Sequence, residues 1–245
     1  MWRAPTDNDR AVVADRWAGQ GLASLAPEVV DVQRRDGSVV VVTRLSTALG
    51  EVRHEQRSSA GPVPGSLRFD ELVLLPGGLD DVPRVGVVLE VGAALARASW
   101  FGRGPWETYP DRCTAPLGLH EADVASLTTP VPAPAGERRA RAGALVAARG
   151  PRGRGRPARV VRPSAAGQRR SPQRRRAGRV RPRGGPPRRP TAPCCTSTPA
   201  HRGLGSASCG PDTAVRHRIP GGEHRWTWWL QVWEGDPSRR QPLHR

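Results

Sequence analysis

Residues 129–200 decide most of what this chain can fold into. The window holds 19 arginines, a single acidic residue, Glu137, and no aromatic residue. Its apolar residues are sparse and follow neither the helical nor the strand period. Ordering a backbone costs about 1–2 kcal/mol per residue, and a segment with so little apolar surface to bury does not recover that cost. The window is predicted to be a long disordered Arg/Pro/Gly-rich insertion. Foldable material is left on either side, in residues 1–128 and 201–245, and each piece is small for a core of its own.

The same window explains the charge. The chain is formally +17, but the window alone carries +18 and the other 173 residues sum to −1. Basic chains that track a phosphate backbone release counterions through lysine and arginine and usually stack bases on aromatic rings. This chain contains no lysine, and its arginines sit among Pro, Gly and Ala. Composition therefore argues against nucleic acid as the partner. Arg, Pro, Gly and Ala share GC-rich codons, so a GC-rich gene read out of frame gives this composition without selection for binding.

Four cysteines give no disulfide or zinc framework: Cys113 and Cys209 are isolated, and Cys194 and Cys195 are adjacent. Reduced thiols are expected. The first ten residues are too charged for a signal peptide, and no stretch approaches the roughly 18 apolar residues of a membrane helix. No membrane partner and a cytoplasmic location follow as expectations.

Outside the window the pattern is that of strands. Residues 38–45 follow an Asp36-Gly37 turn and include four consecutive valines, which predicts a buried strand. Arg84 to Val91 alternates, with Val85, Val87, Leu89 and Val91 on one face. Val88 interrupts the polar face and predicts that it is partly covered. After Gly221-Gly222, residues 223–233 place Trp226, Trp228, Leu230 and Val232 together, while Trp229 and Trp233 on the other face suggest contact with another sheet or domain. Phe69 to Leu75, ended by Pro76-Gly77-Gly78, is a further strand, and helical periodicity is confined to about Ala11–Leu25. The predicted class is all-β, an antiparallel β-sandwich.

Three strings then stand out. Residues 2–9 read WRAPTDND. Residues 83–86 read PRVG and 100–112 read WFGRGPWETYPDR. Residues 201–213 read HRGLGSASCGPDT. In this order they resemble the last domain of the large cytoplasmic β-galactosidases of glycoside hydrolase family 2. The resemblance implies a galactose-mutarotase-like supersandwich, here incomplete, with its first part in residues 1–128 and its final strands in 201–235. Residues 129–200 would be an out-of-frame segment and 236–245 a disordered tail. The family follows its GRGP segment with a PYxRPQENG motif, which this chain lacks after Thr128. Residues 131–137 read one base later are compatible with YQRPQEN, and residues 193–198 read two bases later with VLHLD, which the family places before HRGLG. The family also has strands and a catalytic barrel ahead of the WRAPTDND string, so Met1 is expected to be an internal codon.

The chemistry implied is hydrolysis of terminal β-galactosides with retention, which needs two carboxylates about 5–5.5 Å apart. The resemblance puts both on the barrel, so no residue here inherits a catalytic role. Glu107 and Asp111 are expected to be turn or salt-bridge residues. Asp7, Asn8 and Asp9 are expected to cap a helix rather than hold a cation. Arg103 is expected in a loop salt bridge, and the six histidines in solvated or loop positions. The family's last domain lends one tryptophan to the sugar site, at the position of Cys209, which makes Cys209 the single candidate carbohydrate-binding residue. A thiol offers no face for a hexose, and a buried structural cysteine is the favoured alternative. No cofactor is expected in this chain, the family's Mg and Na belonging to other domains.

Three readings follow. The first is a fragment of a β-galactosidase, inactive alone and meeting galactoside only within the full enzyme. The second is the small subunit of a split β-galactosidase with a separate large chain as partner, and the third is an Arg-rich protein coating nucleic acid nonspecifically.

Overall fold

The computed structural model describes residues 1–90, 97–127, 147–149 and 194–231. The chain opens with two short helices, α1 (Asp7–Val12) and α2 (Ala14–Gly19), and a 3₁₀ turn at Leu22–Ser24. Thr6 caps α1 in a reciprocal capping box: its hydroxyl accepts from the Asp9 N–H, and the Asp9 carboxylate accepts from the Thr6 N–H. Helix thus starts earlier than the periodicity suggested, because the cap residues precede the apolar repeat.

Among the described residues ten strands follow: β1 (Pro27–Arg35), β2 (Ser38–Thr47), β3 (Gly50–Ala60), β4 (Ser66–Leu74), β5 (Arg84–Glu90), β6 (Arg97–Arg103), β7 (Leu117–Asp123), β8 (Ala147–Arg149), β9 (Cys194–His201) and β10 (Glu223–Gln231). They form three antiparallel sheets, ordered β1-β2-β3-β4-β10, β5-β9 and β7-β6-β8. The all-β antiparallel class is therefore observed.

The core lies at one end of the five-stranded sheet. Val52 of β3, Val73 of β4 and the adjoining Leu75 meet Val13, Trp17 and Leu22 of the helical segment, together with Leu79, Val82, Val85 and Ile219. Fully burying one such side chain is worth about 1.5–3 kcal/mol, so this cluster is the main apolar tie between the first 25 residues and the sheet. Trp226 packs against its margin.

The expected strands at 38–45, 69–75, 84–91 and 223–233 are all present, with adjusted ends. Four consecutive valines do not make a strand buried on both faces: Val40 and Val42 are buried, Val39 and Val41 only half so. Val88 is 50% exposed, so the second face of β5 is open there rather than covered. Trp229 is half-buried, while Val91, Val232 and Trp233 lie outside the described residues.

One boundary moves. β9 begins at Cys194, inside the window assigned to coil, and pairs with β5 from Glu90↔Cys194 to Arg84↔His201. Its register slips by one residue between Val85 and Val87, where Thr198 and Pro199 oppose Gly86. Proline brings no N–H to a ladder, which accounts for the slip. The three residues of β8 also fall in the window; residues 128–146, 150–193 and 232–245, with the PYxRPQENG position and the expected tail, lie outside the described residues.

Candidate functional site

The three rare strings, far apart in sequence, meet around Arg202. This side chain is 1% exposed. Its Nε donates to Asp81 Oδ1 at 2.6 Å, Nη2 to both Asp212 oxygens at 2.9 Å, and Nη1 to Thr213 Oγ1 at 2.7 Å. Asp81 holds a left-handed backbone, φ 48°. It also receives Arg16 at 2.6 Å, and its carbonyl accepts from Trp17 Nε1 at 2.8 Å. Burial lowers the pKa of Arg202, but the Asp81 and Asp212 hydrogen bonds outweigh it and the net shift is upward. Asp212 is the mirror case: burial raises it, and the bonds from Arg202 and the Thr213 N–H carry it below the ordinary carboxylate value.

Arg3, 3% exposed, forms the second buried pair. Its Nη2 donates to Asp9 Oδ1 at 2.6 Å and its Nη1 to the Arg202 carbonyl at 2.8 Å. Its guanidinium lies 5.6 Å from the ring centres of both Trp17 and Tyr109, within cation–π range. Removing one member of a buried ion pair costs about 3–5 kcal/mol, so the network fixes the relative positions of the three strings.

What the network positions is a projecting loop. Asp111 accepts the backbone N–H groups of Leu204 and Gly205, both at 2.8 Å. Burial pushes its carboxyl up, and these N–H donors more than reverse that, leaving it below the usual range. From the other side, Asn8 Nδ2 donates to the Gly205 carbonyl at 2.9 Å, and Asn8 Oδ1 accepts from the Ser208 N–H at 2.9 Å and its hydroxyl at 2.6 Å. Gly205 has φ 67°, and a Cβ there would fall 2.7 Å from Thr213 Oγ1. At Gly203 a Cβ would fall 2.6 Å from Asp111 Oδ2. The tip turns back through the Cys209 N–H donating to the Ser206 carbonyl and the Ser206 N–H donating to the Pro211 carbonyl. Beside it lies a shallow polar depression of about 320 Å³, lined by residues including Asp111, Ser206, Asp212, Arg216 and His217.

The sequence-predicted residues distribute as follows. Cys209 is a free, exposed thiol on the loop, not the buried structural cysteine expected, because the tip projects from the network rather than packing into it. Glu107 pairs with Arg112 at 3.4 Å, the salt bridge expected, whereas Asp111 departs from turn or salt-bridge duty and binds the backbone of the distant loop. Asp9 caps α1, whereas Asn8 spends its side chain on the loop. Arg103 donates to the Ala115 carbonyl at 2.9 Å instead of forming a salt bridge. The histidines are not uniformly solvated: His54, His120, His201 and His224 sit on strands, and His54 Nε2 lies 2.7 Å from the buried Glu71. Arg3, Asp81, Arg202 and Asp212 carry the site with Asn8 and were missed; the signal for Arg3, Arg202 and Asp212 was their place as charged residues inside the rare strings. Among the described residues no group of three or more His, Cys, Asp or Glu could hold a metal ion, and no helix is long and apolar enough to cross a membrane.

Residues 1–144, which bring α1 and the PRVG and GRGP strings into this arrangement, match the family described as beta galactosidase small chain. The chain belongs to that family. It is 31% identical over 151 residues to the β-galactosidase of Arthrobacter sp. (strain B7), covering 52% of this chain and 15% of that protein. Against the β-galactosidase of Klebsiella pneumoniae it is 33% identical over 145 residues, 52% of this chain and 14% of the relative. A shorter stretch of 59 residues is 48% identical to the β-galactosidase of Vibrio cholerae serotype O1, 24% of this chain and 6% of the relative. The chain thus matches only a small part of the length of these relatives.

Proposed function

We propose that this chain is the small-chain part of a glycoside hydrolase family 2 β-galactosidase, which hydrolyses terminal non-reducing β-D-galactose residues with retention, and that the catalytic portion lies outside this sequence. The observation that carries the reading is the convergence of the three strings on one buried ionic network that holds out the loop at residues 203–211. A loop so restrained suits presentation to a neighbouring active site, since ordering it on contact then costs little further entropy.

The carboxylates near the loop support inactivity alone. Retaining hydrolysis needs a pair about 5–5.5 Å apart, one of them free to attack. Asp9, Asp81 and Asp212 are committed to arginines, Glu107 to Arg112, and Asp111 to two backbone donors. Cys209 takes the tip position from which an aromatic face would stack on sugar, so galactoside contact from this loop is weak. A cytoplasmic location and an out-of-frame origin for residues 129–200 belong to the same reading.

The test mixes the purified chain with the Arthrobacter sp. (strain B7) β-galactosidase from which the matched segment has been deleted. Release of galactose from a β-galactoside is followed by anomer-resolved NMR. The chain alone is expected to show no hydrolysis, and mixing to produce it with β-galactose as first product. Hydrolysis by the chain alone, or no gain on mixing, would count against the proposal.

A further inference from the structure

The sheet β7-β6-β8 turns an uncovered apolar ridge outward. Phe101 of β6 and Leu119 of β7 are directly paired and 51% and 55% exposed. Leu117, two residues along β7 and therefore diagonal to Phe101, is 66% exposed, within reach of the aromatic ring. Three residues past the end of β6, Trp106 is 62% exposed. The same face continues into charge: Arg97 pairs with Glu121 at 3.2 Å and approaches Asp123 at 3.8 Å. The reverse side of β6 is buried through Ala98 and Trp100, so the strand is amphipathic with its larger apolar groups split between core and solvent.

Single exposed apolar residues need no explanation, but an aromatic and aliphatic cluster bordered by ion pairs has the make-up of an interface centre with a polar rim. Tryptophan is the residue type most often found to dominate binding energy. Its place in the chain identifies the occupant. The segment that leaves the ridge at Arg103 passes Trp106 and reaches Asp111, which grips the projecting loop through Leu204 and Gly205. The chain thus links the ridge, through Trp106, to the residue that holds the tip at Ser206–Gly210, so a body that receives the tip is tied to the same segment as the ridge. The chain matches only 15% of its Arthrobacter relative and 14% of its Klebsiella relative, so a large missing body is available to cover it.

We infer that Phe101, Trp106, Leu117 and Leu119 form the docking surface for the catalytic portion of a β-galactosidase. This rests on the small-chain reading above. The exposed valines of edge strand β1, Val29, Val30 and Val32, are interspersed with Glu28, Asp31, Arg34 and Arg35 and serve as the comparison surface.

The experiment titrates the full chain and its variants into the same deleted Arthrobacter enzyme, reading association by analytical ultracentrifugation and hydrolysis of a chromogenic galactoside. Phe101→Glu with Leu119→Glu, and separately Trp106→Glu, are expected to weaken association at least tenfold, while Val29→Glu with Val32→Glu changes it less than twofold. Trp106 lies in a loop, so its variant keeps the test informative where a strand variant unfolds; near-UV circular dichroism checks each. Unchanged association of both ridge variants, with the wild-type chain binding, overturns the docking surface and leaves the small-chain reading intact. Failure of the wild-type chain to associate removes both.

Discussion

Asp111 shows how a single side chain can serve fold and projection together. Both it and Asp212 sit below the ordinary carboxylate value of 3.8 because N–H and guanidinium donors outweigh the cost of their burial. A carboxyl depressed in the folded state stabilises that state at pH values above its unfolded pKa, and the contribution is lost as pH falls through the folded value. Stability is therefore expected to fall away below about pH 4, and Asp111→Asn to remove part of that dependence. Urea midpoints measured from pH 6 down to pH 2 should show wild type and variant converging in acid. A gap between them that stays constant with pH would rule out the Asp111 contribution. Cys209, three residues before Asp212, is by contrast a free, exposed thiol.

At the scale of elements, β4 shows why part of the fold was legible and part was not. Strands β2, β4, β5 and β10 carry alternation or β-branched runs bounded by turn residues, and each was readable from sequence. β3 was not, since Val52 is its one buried apolar residue and the positions facing the same way are His54, Gln56 and Ser58. It is held through polar matching instead. Glu71 of β4, 3% exposed, receives Trp228 Nε1 and Gln56 Nε2 at 2.8 Å each and meets His54 at 2.7 Å, while Phe69 stacks on Trp228 with ring centres 4.2 Å apart. Such cross-strand polar contacts leave no period in the sequence. β1 was hidden for another reason: as an edge strand exposed along nearly its whole length, it has no inward face to print. The site was legible as strings but not as a cluster, because Arg3–Arg202 contacts span 199 positions. Glu71→Ala leaves an indole N–H, an amide and an imidazole without their acceptor, at about 1–3 kcal/mol for each group left unsatisfied. Urea unfolding should show a loss of about 3 kcal/mol or more, against less than about 0.5 kcal/mol for the surface variant Glu55→Ala. Equal losses would sink the polar-matching account of β3.

For the whole molecule the question is what joins the β-strands of residues 1–127 to the loop and β10 at the far end. The two parts recognise each other through Arg3, Asn8, Asp81 and Asp111 on one side and Arg202, Gly205 and Ser208 on the other. A 19-arginine window between them adds +18 of charge to a remainder of −1, and like charge concentrated in one segment works against compaction. β9 bears the mark of the junction. Where the HRGLG string begins, its register to β5 is regular at His201 and Ala200, and it slips at Pro199, the last stretch of the proposed out-of-frame segment. If that origin holds, removing single bases near residue 129, again between residues 137 and 193 and again before residue 201 should bring in YQRPQEN-like and VLHLD-like sequence and relieve the slip. The net charge should then move most of the way from +17 toward zero. A gain of about 5 kcal/mol would raise Tm by about 10–20 °C at this chain length, and the melting temperature should lose the salt dependence that screening of a concentrated positive segment imparts. Differential scanning calorimetry of the two chains at low and high salt makes the comparison. A frame-shifted chain that melts no higher than the original, with the same response to salt, would show that residues 129–200 belong to the folded protein as they stand.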